Sequence, residues 1–232
     1  MTRPWIGRIW PFGGAGNSPP GPLPTGRFCA LDIETTGLDT RRDEPVSVAA
    51  IPFEDGDPRP ERGYESLVRP GRPIPLTATR IHGIDDGHVA GAPPFETVLP
   101  ALSAACGAFA PLVGFALGFD LSILNRLARR LRLPALTVPA LDVAGLARAL
   151  SPHWAGLSLE ELAARLEVPC DGRHTARGDA VIAGRIYMRL VPLLRARGVH
   201  SLSAALRVQG RSLAAATVRL DGDFHGRPPF GH

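Results

Sequence analysis

The sequence predicts an α/β protein, a mixed sheet flanked by helices, and three observations carry that prediction. Three β-like segments crowd residues 27–68. Beyond them, short apolar runs alternate with helical periodicity as far as about residue 200. Loops dense in Gly and Pro, such as "EDGDPRP" and "RPGRPIP", punctuate the transitions. At 232 residues the chain is long enough to bury a real core as one domain. That domain is expected over 26–198, preceded by a flexible Gly/Pro-rich arm at 1–25 and followed by a partly helical tail at 199–232. The arm cannot build a packed core, and its Trp5, Trp10 and Phe12 read either as disordered or as a docking element.

The first strand, 27–34, lies in "RFCALDIETTGLDT". Side chains alternate along a strand, so Leu31 and Ile33 point one way while Asp32 and Glu34 point together the other way. Two carboxylates side by side repel, and burying them is costly unless a cation lies between them. Two readings follow: a solvated outer face of an edge strand, or one side of a cation site. Strands at 46–53 and 62–68 come next, most simply as a meander. After the loop "RPGRPIP" the pattern gives a helix at 95–109, a strand at 111–116, a helix at 120–132 and a short strand at 138–141. Ser158 with Glu161 forms a capping box that opens a further helix. A final long helix runs from about Thr175 to Arg197, with Pro192 as a kink site.

Three more residues join the two acids as candidates. Asp120 follows Phe119 in "PLVGFALGFDLSILNRL", where an apolar strand turns into an amphipathic helix; it reads as a helix N-cap or as a ligand. Asp179 stands in the first turns of the last helix, on the stripe of Ile182 and Ile186, where an acid is costly unless paired. His174 comes five residues before it, ahead of the helix.

Together "LDIETTGL", an apolar strand ending in "GFD", and "HTARGDA" resemble the DEDD exonucleases. The likeness is to their histidine branch, which includes the proofreading epsilon subunit of bacterial DNA polymerase III. The resemblance runs from about Phe28 to Leu194 and takes in "SLVRPGRPIP" and "TRIHGIDD". It implies a ribonuclease H-like fold with a five-stranded mixed sheet, and a metal-dependent 3′→5′ exonuclease. By the same resemblance Asp32, Glu34, Asp120 and Asp179 are the four metal-binding acids and His174 is the general base. Thr35, Thr36 and Leu38 match the turn that cradles the 3′ end, and His82 matches a histidine that contacts the terminal nucleotide. The implied cofactor is a pair of Mg2+ ions, for which Mn2+ can substitute. Magnesium takes hard oxygen ligands, so several carboxylates must converge on one spot.

The pattern departs from the family at Phe115 and Ala116, where relatives usually carry His-Asn, and at Thr77, where the epsilon subunit has an acid. Phe115 either offers an aromatic face to a base or fills the core beside Phe119. The expected substrate is a single-stranded or frayed 3′ end, releasing nucleoside 5′-monophosphates, with a polymerase or another replication or repair protein as the expected partner. An RNA exonuclease and a low-turnover nucleic-acid-binding module are the alternatives.

Composition adds support. All 26 basic residues are arginine, and the net charge of +4 favours polyanionic partners. Cys29, Cys106 and Cys170 are odd in number and lack paired metal-ligand spacing, so they suggest neither a disulfide framework nor a zinc site and fit a reducing cytoplasm. No stretch approaches the roughly 20 apolar residues of a membrane span, and the opening residues lack the apolar run of a secretory signal.

Overall fold

A computed structural model describes residues 21–210. Trp5, Trp10 and Phe12 of the arm lie outside the described residues. The first strand, β1 (Arg27–Thr35), runs antiparallel to β2 (Pro45–Glu54). β2 in turn pairs with β3 (Asp57–Pro58) and β4 (Tyr64–Leu67), so β1, β2 and β4 form the expected meander. On its other side β1 pairs in parallel with β5 (Leu112–Gly114), and β5 with β6 (Ala140–Asp142).

The sheet therefore has six strands rather than the five expected. The extra strand exists because β2 is ten residues long and outruns β4. Its far end, Phe53 and Glu54, is paired by the first residues after the "EDG" turn.

Two helical layers sandwich the sheet. β1 shows why: Phe28 and Ala30 face one core cluster, Cys29, Leu31 and Ile33 the other. The first cluster is closed by α5 (Val143–Leu150), α6 (Leu159–Arg165) and α7 (Ala176–Ala196), with α7 lying across β1, β2 and β5. Tyr187 of α7 packs edge-on to Phe28, whose ring stacks on Phe53 at 4.7 Å. The second cluster is closed by α3 (Phe95–Ala108) and α4 (Leu117–Arg130). Two short helices, α1 (Leu76–His82) and α2 (Asp86–Val89), cover a small third cluster around Val46 and Ile74. They lack the length over which periodicity becomes readable.

Local chemistry fixes the boundaries. Ser158 and Glu161 make the expected reciprocal cap of α6. α7 is capped by Thr175 and continues through Pro192 to Ala196. α4 starts three residues before the expected position, because Ala116 adopts a left-handed conformation (φ 52°) and turns the chain directly from β5 into the helix. Residues 202–210 form an eighth helix, α8. Leu202 and Ala205 of α8 join the first core cluster, and the chain before β1 pairs with its start through Pro22 and Ser201. The side-chain amide of Gln209 bonds the backbone of β6 at both Ala140 and Asp142. Among the described residues no helix is long and apolar enough to cross a membrane.

Candidate active site

Where the apolar side chains of β1 give out, two acids continue the same face. Phe28 and Ala30 are buried against α7; Asp32 and Glu34 follow at the same two-residue period and are only half-buried. The register with β2 shifts between Glu34, paired with Ser47, and Thr35, paired with Pro45, an irregularity of a kind that often re-aims a strand at a site. The start of α7 then brings Asp179 over the strand. Ligand oxygens of Asp32, Glu34 and Asp179 all lie within 4.8 Å of one another.

Asp120 lies close enough to that group, from the other layer, for its carboxylate to repel those of Asp32, Glu34 and Asp179. It lies in the first turn of α4, after the left-handed Ala116, and is 5% exposed. The N-cap reading of Asp120 is thus corrected: the cap position belongs to Ala116, which has no side chain to cap with. Asp120 Oδ2 is buried with no hydrogen-bond partner, and a buried carboxylate oxygen left so is costly. An oxygen-only donor set with such an orphan atom beside three clustered carboxylates fits hard divalent cations.

The electrostatics express the same crowding. Burial, and after it the carboxylates of Asp120, Asp179 and Glu34, push Asp32 well above the usual carboxylate range. Burial, then Asp179, pushes Glu34 up to about 7, against the pull of Arg173. Asp120 is raised by burial and by Asp142, Glu34 and Asp179. Asp179 is raised by burial, while Arg173 and the His174 N–H hold it back. Positive charge brought among these groups relieves all four at once.

His174 occupies the loop before α7 with φ 64°, a left-handed backbone. Its N–H donates to Asp179 Oδ1 at 3.3 Å, and its imidazole is half-exposed, with Nε2 3.8 Å from Glu160 Oε1. The loop is tied to the helix. Thr175 Oγ1 donates to Gly172 O (2.7 Å) and accepts from Gly178 N (3.0 Å). A Cβ on Gly178 would fall 1.8 Å from Gly172 O, so only glycine lets the loop sit this close.

The turn after β1 places the remaining candidates differently from one another. Leu38 is exposed at 63%, in the turn that follows β1. Thr35 and Thr36 are buried and bond within the turn: Thr35 Oγ1 to Gly37 O (2.7 Å), Thr36 Oγ1 to Asp43 Oδ1 (2.8 Å). His82 is also buried, with both ring nitrogens engaged by backbone. Nδ1 accepts from Ile84 N at 3.1 Å, so Nε2–H donates to Thr35 O at 3.2 Å, and burial lowers its pKa. Phe115 packs against the first core cluster.

Several site residues were not read from the sequence. Arg173 pairs with Asp179 and lies 2.8 Å from Glu160 through Nε. Asp142, at the end of β6, caps α5 and holds Ala116 N at 3.2 Å. Asp43 and Glu44 bond the loops around the turn after β1, Asp43 to Arg72 (2.8 Å) and Glu44 to Arg130 (3.1 Å). An acid directly after a strand and before a helix, as in "LDVAG", was the one available signal; the others depend on distant partners.

Known proteins bear on this geometry. The chain is 37% identical over 188 residues to a DNA polymerase III subunit epsilon-like protein of Rhodobacter capsulatus, covering 80% of this chain and 26% of that protein. It is 31% identical over 181 residues to a PolC-type DNA polymerase III of Streptococcus pyogenes serotype M18, covering 78% and 12%. The chain thus spans at most about a quarter of the length of these relatives. Among solved structures, exonuclease X in complex with 5′ overhanging duplex DNA matches with a TM-score of 0.59 at 24% identity, covering 78% of this chain and 99% of that one. E. coli exonuclease I in complex with a dT13 oligonucleotide matches at 0.60 and 17%, covering 74% and 42%. At these identities the likeness shows the shared fold, the ribonuclease H-like one. Sequence similarity reaches further: the profile of the exonuclease family RNase_T matches residues 29–187, from the first strand into the helix that carries Asp179, and the chain belongs to that family.

Proposed function

We propose that the chain is a 3′→5′ exonuclease that hydrolyses the terminal phosphodiester of single-stranded or frayed DNA and releases nucleoside 5′-monophosphates. The observation that carries this reading is the convergence of Asp32, Glu34 and Asp179 within 4.8 Å, with the orphan oxygen of Asp120 in the adjoining layer. Two Mg2+ ions, or Mn2+ in their place, are the cations we assign to these four acids; bound, they supply Lewis acidity to the attacking water and the leaving oxygen. Asp32 and Glu34, fixed by β1, and Asp120 and Asp179, fixed by helix starts, hold that charge at one place. His174, whose half-exposed imidazole stands in the loop beside Asp179, accepts the proton of the attacking water. Leu38, the exposed apolar group in the turn after β1, meets the terminal base. Thr35, Thr36 and His82 shape the turn beneath it from within.

The likeness to DNA polymerase III chains makes a polymerase in the reducing cytoplasm the partner class we assign. The test uses 5′-labelled single-stranded DNA and RNA of one sequence, with and without Mg2+. A ladder that shortens from the 3′ end of DNA and disappears in EDTA is expected. Shortening from the 5′ end, or undiminished activity in EDTA, would overturn the reading; faster loss of RNA would reassign the polymer.

A further inference from the structure

The acid cluster is served by a cation from the chain itself. Arg173 lies in the loop before α7, and a terminal nitrogen of its guanidinium pairs with Asp179 Oδ2. Its Nε lies 2.8 Å from Glu160 Oε1, an ion pair whose N–H is not aligned for a hydrogen bond. The Arg173 side chain is only 23% exposed, so the guanidinium is held between α6 and α7. It bridges two unlike carboxylates. Asp179, 8% exposed at its side chain, belongs to the cluster; Glu160, 43% exposed, stands outside it.

We propose that Arg173 competes with divalent cations for Asp179, and that cation loading moves the guanidinium off Asp179 while Glu160 retains it at the rim. The proposal rests on the reading of the four acids as the metal site. Both oxygens of Asp179 are engaged by the preceding loop, Oδ2 by the Arg173 guanidinium and Oδ1 by His174 N–H. A divalent ion on Asp179 needs at least one of those oxygens. Two cations a few ångströms apart in a partly buried site repel strongly, and charge-assisted bonds of the Arg–carboxylate kind are among the stronger ones. Glu160 makes release cheap, because the guanidinium keeps one carboxylate partner throughout.

Arg173 thereby has opposite effects under two conditions. Without divalent ions it compensates the crowded acids and stabilises the fold; with them it weakens their binding. A residue with a merely structural role has only the first effect. Arg173→Gln is therefore expected to bind Mn2+ roughly 10-fold more tightly than the wild type, as read from free Mn2+ by electron paramagnetic resonance without nucleic acid. In EDTA the same variant melts below the wild type, and saturating Mn2+ raises its Tm by more. Arg173→Lys keeps the charge and stays near wild-type affinity.

Unchanged or weaker Mn2+ binding by folded Arg173→Gln overturns the proposal, as does an Arg173→Lys that binds as tightly as Arg173→Gln. If Arg173→Gln does not fold, Glu160→Gln takes its place. With the outer carboxylate gone, the guanidinium bears on Asp179 alone and Mn2+ affinity falls; unchanged affinity is contrary. Absence of Mn2+ binding by the wild type sinks the metal-site reading itself, whereas equal binding by all variants sinks only the role of Arg173.

Discussion

At the scale of single residues, the site is a case of deliberate crowding. Four carboxylates that stay apart in water are brought together by β1, α4 and α7, and burial raises each of them. Glu34 shows what this does to stability. Its pKa is about 7 in the fold against an ordinary 4.5. A carboxyl raised on folding favours the native state below its unfolded pKa, and that contribution is lost as pH rises through the folded value. In EDTA, urea midpoints should therefore fall between about pH 5 and pH 8. Buried His82 works the other way, since its lowered pKa favours the fold at higher pH. Comparison with Glu34→Gln separates the two. That variant should lose Glu34's share of the decline and keep the part that Asp32, Asp120 and Asp179 contribute in the same direction; an unchanged slope would show that Glu34 is not strained by its neighbours. The five candidate residues drew attention because each stands at a change of pattern: Asp32 and Glu34 where a strand turns polar, Asp120 after an apolar run, His174 and Asp179 about a helix start. Arg173 and Glu160 did not, because an isolated charge in a sequence does not show which distant charge it meets.

At the scale of elements, the placement of the loop before α7 depends on one backbone contact. Gly178 touches Gly172 so closely that no other residue fits. Gly178→Ala leaves every acid and His174 in the sequence but pushes the 171–175 loop away. The expected outcome is a kcat at least about 10-fold lower, a fraction of the 10²–10⁴ a positioned base is worth, with Mn2+ binding retained. Wild-type kcat would show that His174 tolerates displacement. The turn between β5 and α4 tells a related story. Ala116 holds a left-handed backbone that asparagine tolerates better than alanine, so Ala116→Asn should raise stability by roughly 0.5–1 kcal/mol in urea titration. Phe115 packs on the core, so the family-like histidine there should cost stability, and the two changes are best tested apart. The longer strands and helices were readable from their periodicity. The start of α4 was not, because a left-handed alanine leaves no mark in composition.

At the scale of the whole molecule, two hydrophobic layers pin a sheet from both sides, and the acids gather where those layers stop. β1 belongs to both: its odd positions feed the core of α3 and α4, its even positions the core of α7 until they turn acidic. The meander and the two parallel strands followed from the order of patterns along the chain. The return of α8 onto β6 did not, since the hydrogen bonds to that strand's backbone come from a single glutamine side chain. Gln209 presents its amide to Ala140 O and Asp142 N much as the backbone of a neighbouring strand would. Among the described strands, β6 ends the parallel side of the sheet, and an open edge of that kind is a template for another chain. One side chain thus occupies two backbone groups of that edge. Gln209→Ala should leave the monomer folded but raise its tendency to associate at high concentration, seen as growth in light scattering on storage, and the protection against aggregation would then be traced to two hydrogen bonds.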